Sequence, residues 1–441
     1  MKRFFDRLLG ERPRETPAAA ASAASTGSGG ARASFEELLV RPGGPVADTA
    51  LPRATIVILN YNGRHHLELC FTSLAKLDYP REKLEVLLID NGSDDGSVEE
   101  MRAKHAWVRL HVNDRNAGFA PACNQGAGLA TRPEVLVFLN NDMRVEPSFL
   151  KELVAPLVRG ECDATTAKML SWDGKVLNSA GGGMNFHGLG FQYGMNRPPA
   201  PEFDAPRKTL FPCGGAMAIR ASVYGEVGGF DPEFFAYYED VDLGWRLWVQ
   251  GKSVHYVPSS VCYHHHSSTS KSFPPEVVRL LQVRNPMYAC FKNYDDENLR
   301  RVLPAMLALA LRRMLILSGI PSDQPFRIEH ASARPSSLVG KLMEKAHKHF
   351  ESDIPIKRVA AADLIGINDL LSNWDHWMER RREVQSRRAR SDQEIFRLFL
   401  KPMWCIEDDP AYRALQDGVS RFTGLDELFQ GLEFLRGEPH K

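Results

Sequence analysis

The chain has 441 residues, of which 43% are hydrophobic and 25% charged, and its formal net charge is zero. That length fills a full domain core and leaves material for a second unit, while the absent net charge gives no global field to attract nucleic acid. Seven cysteines, odd in number, scattered and without metal-ligand spacing, fit a reducing compartment, so a soluble intracellular protein is expected.

The first fourteen residues set Lys2, Arg3, Arg7, Arg12 and Arg14 beside Phe4, Phe5, Leu8 and Leu9, which would form one apolar helical face. Such a segment either docks on an anionic membrane or on the protein itself, or is disordered; it is too short and polar for a secretory signal. An Ala/Ser/Gly/Thr/Pro linker follows, and residues 1–50 are taken together as this segment and its linker.

Strands are predicted at residues 54–59, 84–89 and 135–139. Their unbroken apolar runs read as strands buried on both faces, as in the parallel sheets of α/β proteins. The first ends in Asn60, Tyr61, Asn62 and Gly63, the second in Asp90, Asn91 and Gly92, the third in Asn140, Asn141 and Asp142. Three strands thus deliver polar residues to one rim, the C-terminal edge at which open α/β sheets bind ligands. An ordinary turn explains any one of these ends taken alone. Between the second and third strands, residues 113–126 form a loop with Asn116 and Gly118 that feeds a small-residue helix containing Asn124. Its glycines suit close backbone approach to a ligand, and the helix N-terminus suits an anion.

The stretch with Gly181, Gly182, Gly183, Gly188, Gly190 and Gly194 reads either as a mobile loop over a site or as a surface excursion. Gly214 and Gly215 follow, and then the most informative block, Glu239-Asp240-Val241-Asp242 between aromatic segments. Three carboxylates in four residues are costly to bury charged without compensation, which points to a site. The alternative is a helix over Leu243, Leu247 and Val249, closed by Gly251, with Asp240 as its N-cap. Residues 259–263 read as a strand running into His264, His265 and His266, of which His264 and His266 share a face.

These pieces, in this order from about residue 54 to 270, resemble the family 2 inverting glycosyltransferases of the GT-A fold, particularly the bacterial rhamnosyltransferase-like branch. The matching segments include the Asn60-Tyr61-Asn62 and Asp90-Asn91-Gly92 strand ends, Asn140-Asn141-Asp142, Gly214-Gly215, Glu239-Asp240 and Tyr263-His264. The resemblance implies an α/β, Rossmann-like, mainly parallel sheet at residues 51–290, followed by a mainly helical region at 291–441. It implies that Tyr61 and Asp90 contact the base and ribose of a nucleoside diphosphate sugar, with Asn60, Asn62, Asn116, Gly118, Asn124 and Asn141 shaping that pocket. Gly214 and Gly215 would pass beside the donor sugar. Asp142, with His264 as a candidate ligand, would hold a divalent cation, Mg²⁺ or Mn²⁺, on the diphosphate. Asp240 would act as base on the hydroxyl of a glycan or lipid-linked acceptor, and Glu239 would bind acceptor or share the proton. Asn140 stands where the metal motif often has its first aspartate, an uncharged ligand, so the site would lean on phosphate and water. That substitution keeps open a catalytically silent GT-A scaffold that only binds nucleotide sugar; the Glu239-Asp240 pair argues for the enzyme.

Beyond residue 286 the resemblance fades. Residues 302–320, apolar but broken by Pro304, Arg312 and Arg313, read as a packed or interfacial helix rather than a spanning one. The arginines at 380–382, 387, 388 and 390 read as a basic helix face, either solvated or in contact with lipid-linked phosphate or anionic headgroups. Without multiple spans or a glutamine-x-x-arginine-tryptophan motif, one sugar per encounter is expected, at a cytoplasmic location with peripheral contact at the inner face of the membrane as an option.

Overall fold

The protein, a computed structural model, is described over residues 35–265, 274–318 and 357–435. The basic amphipathic segment, most of its linker, and His266 lie outside the described residues.

Strands β1 (Ala54–Asn60), β2 (Leu84–Asp90), β3 (Arg109–Val112) and β4 (Val135–Asn140) form the parallel half of a 10-stranded sheet. Helices α1 (Arg64–Leu74), α2 (Ser97–Lys104) and α3 (Phe119–Leu129) connect them. The alternation along β1 explains why the run is apolar throughout. Ile56 and Ile58 join one core with Leu67 and Phe71 of α1, while Val57 turns to the opposite core with Ala120 and Cys123 of α3. Each such fully buried aliphatic side chain contributes about 1.5–3 kcal/mol. β3 is not evident in the sequence because it is four residues long, half-exposed and at the sheet edge.

The other half contains β5 (Met143–Val145), α4 (Phe149–Val158), β6 (Ala164–Ser171), β7 (Leu177–Ser179), β8 (Gly182–Met184), β9 (Gly190–Gln192), β10 (Arg207–Lys208), β11 (Ala216–Arg220), α5 (Ala221–Glu226), α6 (Glu239–Val249) and β12 (Val254–His264). The strand order is β10-β12-β6-β11-β4-β1-β2-β3, with β11 antiparallel to both neighbours and β12 parallel to β6. This is the expected central sheet of an α/β fold, with the parallel strands β4-β1-β2-β3 gathered on one side. Register pairs Asn60 with Asp90 and Leu59 with Asn140, so the three predicted strand ends share one rim.

The C-terminal part is helical: α7 (Pro275–Asn293), α8 (Asp296–Ser318), α9 (Arg358–Ser372), α10 (Trp374–Ser386), α11 (Asp392–Phe396) and α12 (Pro410–Thr423). One core cluster runs from Val57 through Trp245 to Leu299 and Phe399, and α7 crosses residue 290, so the helices share a core with the sheet domain. α8 buries Leu299, Val302, Met306 and Leu309, as a packed helix should, and no helix among the described residues is long and apolar enough to cross a membrane.

Two expectations are corrected here. The glycine-rich stretch is neither a mobile loop nor a surface excursion, because β8 and β9 pair as a hairpin whose first strand is buried against the helical region. A Cβ on Gly182 would lie 2.2 Å from the Phe211 ring, and one on Gly188, at φ +86°, 2.8 Å from the Pro286 carbonyl oxygen. The arginine run is a solvated face only in part: Arg382 and Arg387 are exposed, while others are fastened to the fold. Arg381, 3% exposed, donates to the Phe291 carbonyl and pairs with Asp296, Arg387 donates to the Glu226 carbonyl, and Arg390 stacks on Trp248 and donates to the Lys252 carbonyl. These side chains fasten α10 and its following turn to the sheet domain.

Candidate active site

The rim of β1, β2 and β4 opens into a cavity of about 360 Å³ that lies between these strand ends and the first turn of α6. From the strand side Tyr61, Asn116, Gly118, Asn141 and Asp142 line it. From the other side come Gly214, Gly215, Glu239 and Asp240, with His264 from the end of β12. Asp142 and Asp240, about a hundred positions apart in sequence, therefore face a single space.

Below the rim the polar groups are spent on one another. Asn60 Nδ2 donates to Asp90 Oδ2 (2.8 Å) and to Ser93 Oγ (3.1 Å), while Asn60 Oδ1 accepts from Asn141 Nδ2 (2.6 Å). Asn60 and Asp90 are fully buried, and the cavity does not reach them. Asn62 is turned to the Asp94 amide, which donates to its Oδ1 at 2.9 Å, and it too lies outside the cavity wall. Asn124 is further removed: its Nδ2 donates to the Phe230 carbonyl (2.7 Å) and its Oδ1 accepts from the Phe230 amide (3.1 Å). These four residues, expected to contact or shape a nucleotide pocket, do not line the cavity. Buried amides and carboxylates need partners, and neighbouring polar residues supply them.

The N-terminus of α3 does not offer its amides to an anion as expected. The Phe119 and Ala120 N–H groups donate to the Phe235 carbonyl at 2.6 and 3.1 Å. Gly118, at φ +95°, brings the two segments together, since a Cβ there would lie 2.5 Å from the Phe235 ring. Phe235, Tyr237 and Tyr238 all have positive φ (58°, 66° and 65°), an uncommon conformation for bulky residues, and all three line the cavity. Their strain is invisible in sequence, although the aromatic cluster before Glu239 marks the place.

The carboxylate block divides. Asp242 is fully buried and pairs with Arg246 (2.7 Å) and Lys292 (2.9 Å), with Asn293 donating at 3.0 Å, so it belongs to the core. Glu239 and Asp240 face the cavity. Asp240 is not an N-cap, since Tyr238 occupies that position; its Oδ2 accepts from the Gly214 amide (2.9 Å) and its Oδ1 from the Val241 amide (2.8 Å). Burial pushes the Asp240 carboxyl above the usual range, against the lowering effect of those amides. Glu239 is pushed well above it, by burial first and by the neighbouring Asp240 charge second, and its Oε2 has no hydrogen-bond partner among the described residues. The pair therefore favours holding one proton between two carboxylates.

On the opposite chemistry, the His264 Nε2 lies 3.3 Å from Asp142 Oδ1, and the His265 amide donates to the Asp142 carbonyl (3.0 Å). A carboxylate and an imidazole thus converge at the cavity wall with Asn140 beside them, a donor set that suits a divalent cation completed by phosphate and water oxygens. Among the described residues no three His, Cys, Asp or Glu side chains are grouped to bind a metal unaided. Trp172 is unavailable as a sugar platform on the face covered by His265, stacked at 3.9 Å, and Trp245 is core, packed on Tyr294 and Phe399.

Comparison with known proteins bears on this geometry. The profile of Glycosyl transferase family 2 matches residues 55–228. An N-acetylglucosaminyl-diphospho-decaprenol L-rhamnosyltransferase of Mycobacterium tuberculosis is 30% identical over 244 residues, covering 50% of this chain and 78% of that one. An O-antigen biosynthesis protein, RfbC of Myxococcus xanthus, is 33% identical over 208 residues, 45% of this chain but only 16% of its own length. Among solved structures, a mannosyltransferase of Pyrobaculum calidifontis aligns at a TM-score of 0.41 and 18% identity over 76% of this chain and 91% of that one. With the strand ends, the glycine pair and the acidic helix start on one cavity, and with a relative of this identity matched over most of its length, the chain belongs to glycosyltransferase family 2.

Proposed function

We propose that this glycosyltransferase moves a hexose or deoxyhexose, such as rhamnose, from a nucleoside diphosphate to a hydroxyl of a glycan or lipid-linked acceptor in surface polysaccharide assembly, with inversion at the anomeric carbon. The observation that carries the reading is the meeting of Asp142 and His264 with Glu239 and Asp240 on one cavity. The names of the relatives support the choice of sugar and acceptor. A lipid-linked acceptor would place the work at the inner face of the cell membrane, by a cytoplasmic or peripherally attached protein.

In this reading Tyr61 and Asn116 hold the nucleoside end, and Asp142, His264 and Asn140 are the residues that would hold a divalent cation. When bound, that cation supplies Lewis-acid neutralisation of the departing nucleoside diphosphate. Asp240 accepts the proton of the acceptor hydroxyl as its oxygen bonds to the anomeric carbon and the bond to the diphosphate oxygen breaks on the opposite face. A raised carboxyl is a better base for this than an exposed aspartate, provided it is ionised. Glu239, keeping its proton, adds no second negative charge beside Asp240, which leaves the base free to ionise. Gly214 and Gly215 give the sugar room, and the Gly214 amide fixes the direction of Asp240.

The test is Asp240→Asn with a panel of dTDP-, UDP- and GDP-sugars. The variant should keep the melting-point rise that the parent shows with its donor, because a ligand of the native state stabilises by mass action, yet lose transfer. Near-parent turnover would remove Asp240 from the base role, and a parent that binds donor but neither transfers nor hydrolyses it would establish a silent scaffold.

A further inference from the structure

The strained segment between Asp231 and Asp242 is held from outside the sheet domain mainly by α7, with Arg380 of α10 adding a contact to Asp231 (3.1 Å). Asn285, fully buried on α7, places the two hydrogens of Nδ2 among three carbonyls of that loop, one hydrogen being shared: Phe234 (2.9 Å), Ala236 (2.9 Å) and Tyr237 (2.8 Å). Its Oδ1 accepts from Arg284 Nε at 3.2 Å, and Arg284 also donates to the Glu233 carbonyl at 3.0 Å. Two turns further along the same helix, Lys292 pairs with both Asp231 and Asp242, and Asn293 donates to Asp242. Positions 285, 292 and 293 recur at the seven- and eight-residue spacing that returns to one helix face. One face of α7 therefore grips the segment at its beginning, its middle and its end.

The middle contact matters most because of what it holds. Positive φ at Phe235, Tyr237 and Tyr238 costs each of these L-residues conformational energy, and such conformers persist only when their surroundings over-determine them. On the sheet side the Phe119 and Ala120 amides fix the Phe235 carbonyl, and on the helix side Asn285 fixes the carbonyls on either side of it. Tyr238 is the N-cap from which Glu239 and Asp240 enter the cavity.

We propose that Asn285 is a positioning residue for sugar transfer: by bonding the 234–237 carbonyls it sets the left-handed turn that aims Glu239 and Asp240 at the reacting atoms, so the helical region is part of the catalytic apparatus. This rests on the functional reading above. It assigns no contact with substrate to Asn285, and it explains why α7 shares a core with the sheet domain.

The test compares Asn285→Ala with Val283→Ala, a buried truncation two residues away on α7 that leaves those carbonyl contacts intact. Both are assayed below their melting points for transfer kinetics and for amide hydrogen exchange over residues 234–242. Asn285→Ala should lose about a hundredfold in kcat, the loss expected for a misplacement near 1 Å, with donor KM within about threefold and faster exchange in that segment. Val283→Ala should keep kcat within about threefold and leave exchange there unchanged. If Asn285→Ala does not fold, Asn285→Ser, which can still donate one hydrogen bond, is held to the same kcat and exchange criteria. Parent-like kcat, a loss confined to KM, unchanged exchange, or an equal kcat loss in Val283→Ala would each overturn the proposal. A parent inactive with every donor would refute the functional reading instead, and exchange would then decide the bracing by itself.

Discussion

Gly118→Ala should cripple the enzyme without unfolding it. Gly118 has φ +95° and ψ 169°, a region that only glycine occupies at ease, so an alanine there costs about 1–3 kcal/mol if the backbone stays. It does not stay undisturbed, because the new Cβ would lie 2.5 Å from a Phe235 ring carbon and 2.9 Å from the Phe235 carbonyl oxygen. The ring can swing, but the carbonyl is tied to the Phe119 and Ala120 amides. Restoring an ordinary contact therefore displaces the turn by roughly half an ångström or more, and near-1 Å misplacement of a reacting group costs up to about a hundredfold in rate. A tenfold to hundredfold fall in kcat, with a melting point lowered by only a few degrees, is the expected outcome. Gly128→Ala in the same helix is the control: nothing lies within 4 Å of its Cβ, and removing a helical glycine should stabilise by about 0.4–1 kcal/mol with activity unchanged. Steady-state kinetics and thermal melts on both proteins decide the matter, and parent-like kcat in Gly118→Ala would refute the claim that this contact sets the turn.

The raised Glu239 carboxyl gives a prediction of opposite sign to that of an ordinary ion-paired acid. The folded state holds a proton that the unfolded chain has released, so this residue's contribution to stability falls as pH rises above the unfolded glutamate value. Glu239→Gln should accordingly raise the melting point relative to the parent at pH 8 and change it little at pH 4; the reverse order in pH-dependent melts would contradict the assignment. Because burial raises Asp240 as well and it works only when ionised, the acid limb of kcat/KM against pH should lie above the range of an exposed aspartate, and a limb below pH 4 would count against it as the base. Lys292→Met should destabilise by about 3 kcal/mol, the low end for breaking a buried pair, because Arg380 still reaches Asp231 at 3.1 Å and Arg246 still reaches Asp242; a neutral effect in urea melts would show the pair is dispensable. Chelation should abolish transfer and Mn²⁺ restore it, with His264→Ala needing more Mn²⁺ for half-recovery; equal titration curves would remove His264 from the cation site.

The sequence by itself determined the sheet and its business edge. Apolar runs at β1, β2 and β4 can only be buried on both faces, and the polar residues that end them must then gather on one rim. It also marked Glu239 and Asp240, because carboxylates beside aromatic stretches are costly to bury unless something uses them, while Asp142 and Gly214 stood out through the family resemblance. Tertiary structure decided which of those polar groups reach the cavity. Asn60, Asp90 and Asn124 look like Asn116 in sequence, yet their atoms are consumed by partners that only folding supplies, from Asn141 to the Phe230 carbonyl. Only the fold separates Asp242, neutralised by Lys292 from fifty residues away, from its catalytic-looking neighbours. The buried arginines of the run and the glycine-rich stretch misled for the same reason. A guanidinium fastened to a distant carbonyl and a glycine demanded by a distant ring have no local signature, since hydrogen bonding and steric exclusion act through space while composition and periodicity record only the neighbouring chain.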